Sequence, residues 1–421
     1  MAFLDFLMDI LSVPALLVGA IALFGLLAQK KAAPDIIKGT IKTILGFVVL
    51  GGGAGILVGA LSSFGTMFEV GFGVQGVVPN NEAIVALALG EYGTATALIM
   101  AFGMLANILI ARFTPLKYIF LTGHHTLYMA CMIAIILMVG GLEGVALVAV
   151  GSIVLGFVMA FFPAIAQPFM RKITGTDDVA FGHFGTLGYV LSGTVAKAIG
   201  GNSGSTEEIE FPKGLSFLRD NTVAISLTMG IFYIIVAIAS GGEFVESNLS
   251  GGQNFILFAI MQGITFAAGV FIILQGVRLI LAEIVPAFKG IADTVVPNAK
   301  PALDCPVVFP YAPNAVLIGF LSSFLGGIVG MFILMGMDAV VILPGVVPHF
   351  FCGATAGVFG NAMGGKRGAF WGAFAHGLLI TFLPVLLMPM MGDLGFANTT
   401  FSDADFCGVG IILGGIVKLF V

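Results

Sequence analysis

The chain has 421 residues, of which 59% are hydrophobic and only 9% charged, with a formal net charge of −5 and 60 glycines. A mean hydropathy of +1.12 excludes a water-soluble globular domain and gives no reason to expect a nucleic-acid partner. The composition is that of an all-α polytopic membrane protein in contact with lipid on most of its surface.

Taken from the N-terminus, MAFLDFLMDILSVPALL carries two aspartates and no lysine or arginine ahead of its apolar run. That is unlike the basic start of a cleaved signal peptide, so a retained first helix is expected. About 20 apolar residues cross a bilayer, and roughly eleven such runs follow, at approximately 10–29, 40–61, 94–111, 117–138, 143–168, 221–240, 253–285, 313–335, 338–362, 368–391 and 405–421. With the N-terminus outside and the C-terminus cytoplasmic, Lys30, Lys31, Lys38, Lys42, Arg112, Lys117, Arg171, Lys172, Lys213, Arg219, Lys289, Lys300, Lys366, Arg367 and Lys418 share the cytoplasmic side. Glu143, Glu243, Glu246, Asp338, Asp393, Asp403 and Asp405 then fall in outside loops, the separation that the positive-inside rule describes. The cysteines Cys131, Cys305, Cys352 and Cys407 lack CxxC spacing and read as buried thiols.

Three segments fit no simple span: 63–92, 173–215 and 290–312. The first and last leave and return on one side, so each is a loop, a surface helix or a re-entrant hairpin. Within the middle one, GNSGSTEEIEFPKG (Gly201–Gly214) reads as an exposed cytoplasmic linker. An internal repeat connects the outer two. VVPN occurs at Val77–Asn80 and again 218 positions on at Val295–Asn298, and ALIMAF (Ala97–Phe102) faces AVLIGF (Ala315–Phe320) at the same offset. KGTIKTILG resembles QGVRLILAE at offset 237, and FLTGHH matches ILPGVV at offset 222. In the eleven-span topology the two copies run oppositely, the inverted arrangement with which many transporters build a site at the bilayer midplane.

LDCPVVFPYAPNAV (Leu303–Val316) holds Pro306, Pro310 and Pro313, which lack amide donors and interrupt a regular helix. Irregular backbone at membrane depth persists only where protein or a polar cavity covers it. Two re-entrant hairpins, this one and PNNEAIVALALGEY (Pro79–Tyr92) with Glu82 and Glu91, would bring Asp304 and Glu82 towards one pocket.

Ionisable groups in apolar surroundings are functional candidates. Asp304 leads them; the plainer alternative is a carboxylate capping the hairpin's backbone donors. Glu283 and Arg278 stand five apart in one span and read as a structural pair. In FLTGHHTLYMA, adjacent His124 and His125 point in different directions on a helix, so one can face a pocket while the other packs. His183 sits between glycines in VAFGHFGTLGY, His349 follows a proline in the region matching His124, and His376 reads as a core residue. No HExxH and no i,i+4 histidine pair occurs, so neither a metal nor a cofactor is expected. CGATAG at Cys352 lies among apolar neighbours and is not a phosphate loop.

IIKGTIKTILGF, FLTGHH, LRDNTV, QGVRLILAE, the LDC…YAPNAV stretch and PHFFCGATAGVFGN together resemble the ascorbate-type enzyme IIC of the bacterial phosphotransferase system. The resemblance implies a multi-pass protein of the bacterial cytoplasmic membrane, homodimeric, with a scaffold at about 1–62 and 221–290. A transport core at about 63–220 and 291–421 would move like an elevator. It implies translocation of a sugar-like substrate, L-ascorbate first, with phosphorylation by a separate soluble enzyme IIB that is itself charged through IIA. It places substrate at His124, His183, Asp304, the glycines Gly53 and Gly55, and Asn361. Tyr128 and Phe184 replace glutamines near the two histidines, and Glu82 lies where the family has a tyrosine nearby. An added carboxylate would repel an anion such as ascorbate. An ion-coupled secondary transporter would use the same architecture, and the same phosphotransferase mechanism with another sugar or polyol is a further alternative.

Overall fold

The computed structural model describes residues 14–73, 76–201, 203–209, 221–337 and 339–419. The acidic N-terminal start and the loop residues Lys213, Arg219 and Asp338 lie outside them, as does the side chain of Glu283, so its pairing with Arg278 falls there too.

The chain is a bundle of helices in this order: α1 (Pro14–Ala28), α2 (Ala33–Phe72), α3 (Asn81–Phe113), α4 (Gly123–Val139), α5 (Gly144–Thr174), α6 (Thr186–Ile199), α7 (Asn221–Ser240), α8 (Gly242–Asn248), α9 (Phe255–Val295), α10 (Pro313–Gly336), α11 (Ala354–Leu387) and α12 (Ala404–Val417). Large apolar side chains such as Ile41, Val48, Ile153, Ile231 and Phe332 face outward, while Thr96, Ser192, Ser323, His376 and Asp405 are buried. Apolar outside and polar inside is the order that lipid as solvent imposes. Among the described residues, six helices are long and apolar enough to cross a membrane, or seven if the pair Ile225–Ser240 and Gly242–Asn248, bent by 100°, forms one span. The eleven runs of the sequence therefore differ from this set. α4 and α12 are apolar but shorter, and α11 joins two of the runs across a break at Gly364 and Gly365, where Gly365 takes φ 60°.

Among the described residues six short strands accompany the helices, which periodicity did not anticipate. β1 (Gly76–Pro79), β2 (Tyr118–Phe120), β3 (Ala180–Phe181), β4 (Lys300–Leu303), β5 (Val341–Ile342) and β6 (Thr399–Thr400) form two three-stranded parallel sheets, ordered β5–β1–β6 and β2–β4–β3. In the second sheet Tyr118 to Phe120 face Lys300 to Ala302, and Ala180 and Phe181 face Ala302 and Leu303. At two to four residues each, their signal is too short for a period of two to register.

The strands replace the expected hairpins. PNNEAIVALALGEY is the end of β1 running directly into α3, where the Asn80 side chain accepts from the Ala83 amide; no hairpin forms. LDCPVVFPYAPNAV is irregular as its prolines require, with 3₁₀ turns at Cys305–Val307 and Phe309–Tyr311 before α10 begins. VVPN does not mark equivalent positions, since its first copy is strand and its second ends α9. Over its described part the Gly201–Gly214 stretch is exposed at Gly201, Gly204, Glu207 and Glu208, as expected, but it is tied down. Glu207 accepts from the Asn314 and Ala315 amides that open α10, Lys366 pairs with Glu208 at 2.7 Å, and Thr206 is fully buried.

α9 packs along α2 and α7, so these helices with α1 and the short α8 form one layer, and α3, α4, α5, α6, α10, α11 and α12 form the other. Small residues permit the α2–α9 approach: a methyl on Gly276 would meet the Gly46 carbonyl oxygen at 2.6 Å. All four cysteines are buried free thiols.

Candidate functional site

In a parallel sheet every strand delivers the residue that follows it to the same edge. β2 ends before His124 and His125 in the first turn of α4, β3 before His183, and β4 before Asp304. The other sheet does the same with Asn81 and Glu82 after β1, Val347 and Pro348 after β5, and Asp403 after β6. The residues following all six strands line one cavity of about 630 Å³, which Phe271, Leu274, Gln275 and Arg278 of α9 also line. The site thus lies between the two helix layers, where a substrate would contact both.

The polar atoms alternate. His124 Nε2 lies 3.5 Å from Asp304 Oδ2, His183 Nε2 lies 3.9 Å from Asp304 Oδ1 and 3.8 Å from Asp403 Oδ2, and His125 Nε2 lies 3.9 Å from Asp403 Oδ2. The imidazoles are held from behind. The Phe184 amide donates to His125 Nδ1 at 3.2 Å, so in the neutral ring Nε2 carries the hydrogen and faces Asp403. Tyr189 Oη lies 2.8 Å from His183 Nδ1, and the His125 and His183 rings touch at a centroid distance of 3.7 Å. Asp304 also caps its own turn, Oδ1 accepting from the Cys305 amide at 2.7 Å. One carboxylate thus both caps the turn and lines the cavity.

Asp403 is anchored more deeply. Its Oδ1 accepts from Asn81 Nδ2 at 2.8 Å and from Ser402 Oγ at 2.7 Å, and the residue is 2% exposed. Asn81 returns the bond by accepting from the Ser402 amide. Two lining residues keep a buried polar atom without a partner: Glu82 Oε2 and Tyr128 Oη. Buried polar atoms are ordinarily paired, so these two mark an unmet hydrogen-bonding demand in the cavity wall. His125, His183 and Asp403 are close enough to hold a cation, but a ligating imidazole needs a free nitrogen lone pair. The backbone amide already occupies that of His125 Nδ1, which turns an N–H towards the cavity.

His124, His183, Asp304, Glu82 and Tyr128 meet in this cavity; the other sequence candidates do not line it. Phe184 is fully buried, stacks on Phe120 at 4.6 Å and serves through its backbone amide. Gly53 faces α9, where a methyl would meet the Ile273 amide nitrogen at 2.8 Å, and Gly55 faces open space; both turn away because α2 packs on α9 by its small-residue face. Asn361 accepts from the Thr206 amide at 3.0 Å and so fixes the Ser203–Ile209 segment. Sequence reasoning missed His125 as a pocket residue, Asn81 and Asp403. Asp403 was expected in an outside loop, and it is buried because β6 lies in a sheet. Its neighbour Asp405, also buried, accepts from the Thr186 and Leu187 amides and caps α6. Beyond the cavity, the guanidinium of Arg171 in the last turn of α5, at 2.8 Å, and the Lys300 ammonium, at 2.7 Å, hold the Asp177 carboxyl well below the usual carboxylate range. They tie the loop before β3 to the start of β4.

Residues 9–405 match the family model of the PTS system sugar-specific permease component, EIIC-GAT. The chain belongs to this family. The permease is also 27% identical, over an alignment of 454 residues, to a Mycoplasma pneumoniae protein named ascorbate-specific PTS system EIIC component, which takes in 95% of this chain and 67% of that protein. Family and membrane-crossing helices together make it a multi-pass protein of the cytoplasmic membrane.

Proposed function

We propose that this permease translocates a sugar-like polyhydroxylated molecule bound at His124, His183, Asp304, Glu82 and Tyr128, and presents it to a separate soluble enzyme IIB, charged through IIA, for phosphorylation. The observation that carries the reading is the convergence of all six strand ends on one cavity between two helix layers. Phosphorylation adds charge and prevents return through the bilayer. A cavity walled by α9 on one side and by the strand ends on the other suits an elevator in which the α1, α2, α7 and α9 layer stays fixed, pairing with a second copy, while the strand-bearing part moves. The sheet orders support an inverted repeat: the first strand of each half, β1 or β4, is flanked by the last two strands of the other half.

L-Ascorbate, the substrate in the relative's name, is the first to test. A second reading, an uncharged sugar or polyol, is favoured by the three carboxylates Glu82, Asp304 and Asp403, against which Arg278 is the one lysine or arginine among the lining residues. Uptake of labelled substrate into vesicles, with and without phosphoenolpyruvate, the general phosphotransferase proteins, IIA and IIB, tests the mechanism. Accumulation should require the full chain of phosphate donors. Equal accumulation driven by a proton or sodium gradient without them would transfer the case to an ion-coupled transporter.

A further inference from the structure

We propose that Asp403, with His125 and His183 on either side, is a substrate-binding residue that reads a hydroxyl group and makes the pocket select an uncharged polyhydroxylated molecule over an anion. This deepens the functional reading above and rests on it for the location of the substrate. The inference comes from three placements. Asp403 uses Oδ1 on Asn81 and Ser402, which leaves Oδ2 towards the cavity that it lines. Oδ2 has an imidazole Nε2 on each side, at 3.8 Å and 3.9 Å, beyond hydrogen-bond reach. The backbone amide behind His125 fixes its Nε2 as a donor.

A gap of this size has a particular meaning. A hydroxyl oxygen about 2.8 Å from each partner subtends a separation near 3.9 Å at roughly 90°, so one hydroxyl can accept from the imidazole N–H and donate to the carboxylate together. The His183–Asp304 gap at 3.9 Å and the His124–Asp304 gap at 3.5 Å repeat the arrangement. The cavity wall thus sets imidazoles and carboxylates in alternation, His124, Asp304, His183, Asp403, His125, with His125 fixed as a donor, an order that suits vicinal hydroxyls, each both donor and acceptor. An enolate oxygen of ascorbate only accepts, and beside Asp403 it would set one negative charge against another in a cavity that also holds Asp304.

The test is equilibrium binding to the purified, full-length permease in detergent or nanodiscs, using L-ascorbate, xylitol, mannitol and sorbitol, and single-deoxy forms of the tightest ligand. Wild-type protein should bind at least one of the uncharged polyols more tightly than ascorbate. Asp403→Asn keeps an acceptor oxygen for Asn81 and Ser402, turns an NH2 group towards the histidine donors, and should weaken the polyol about tenfold while narrowing its lead over ascorbate. One deoxy position should cost wild-type protein about tenfold and Asp403→Asn little, a coupling that a purely structural role would not produce. Tighter binding of ascorbate by wild type, or an Asp403→Asn protein that folds with unchanged affinities, overturns the proposal. If Asp403→Asn does not fold, the wild-type order of ligands decides alone. Failure of the functional reading is separate, since it appears as uptake independent of the phosphotransferase proteins whatever the ligand order.

Discussion

Asp304 divides its carboxylate between two tasks, one oxygen on the Cys305 amide and the other 3.5 Å from His124. Asp304→Asn retains an acceptor for the cap but loses the charge. Charge-assisted hydrogen bonds contribute on the order of 1.5–3 kcal/mol, so ligand affinity should fall tenfold or more while the melting temperature changes little. Both are read on one purified preparation, by calorimetric titration and by a thermal melt. A stability loss with unchanged affinity would reduce Asp304 to a cap. The histidines illustrate what adjacent letters hide. His124 and His125 diverge from a helix as expected, yet both reach the cavity, because the first turn of α4 meets it end on and not side on.

Glycines at the element scale carry a sharper contrast. Gly53 and Gly55 are two apart in α2, and α2 packs against α9 through Gly46, Gly53, Gly269 and Gly276. Gly53→Ala should lower thermal stability, because backbone atoms of α9 stand where the methyl would go, and Gly55→Ala should leave it unchanged or slightly higher, since alanine favours helix by about 1 kcal/mol. Melts of the two variants, with ligand affinity as a second readout, distinguish this packing role from a substrate role for either residue. The β3–β4 junction has a pH signature. Asp177 is depressed by Arg171 and Lys300, so its contribution is complete above the unfolded carboxylate value and is lost as pH falls through the lower folded value, a window below about pH 4. The wild-type melting temperature should exceed that of Asp177→Asn at pH 7, with the difference shrinking on acidification below about pH 4 and in high salt. Asp177 is nearly half exposed, so a small difference is expected. A difference that grows on acidification would contradict the assignment.

For the whole molecule, orientation is the property with the most direct test. Of the 17 lysines and arginines, all but Lys197 and Arg278 share one side if the N-terminus is outside and the C-terminus cytoplasmic. Single cysteines at 243 and 366, in a variant lacking the four native thiols, should react with an impermeant reagent from outside only at 243. Labelling from outside at 366 and not at 243 would invert the topology. The same preparation serves for cross-linking along α9, which should yield dimers if that layer is the fixed scaffold.

Composition alone determined the solvent of this protein: a chain so poor in charge can fold only with lipid around it. The motifs around His124, His183 and Asp304 were legible because proline and glycine interruptions are local covalent facts, visible without any neighbour. The fate of Asp403 was not. An acid two residues after a short polar stretch reads as an exposed loop unless something hundreds of positions away buries it. Here that something is β1, paired with both β5 and β6, and Asn81, which donates to Asp403 across 322 positions. Strands of two to four residues carry no periodic signal, and parallel pairing between halves of the chain leaves no trace in either half alone. Tertiary structure therefore decided which acids face the cavity and which glycines merely let helices touch, because both depend on contacts between segments that the sequence does not order in space.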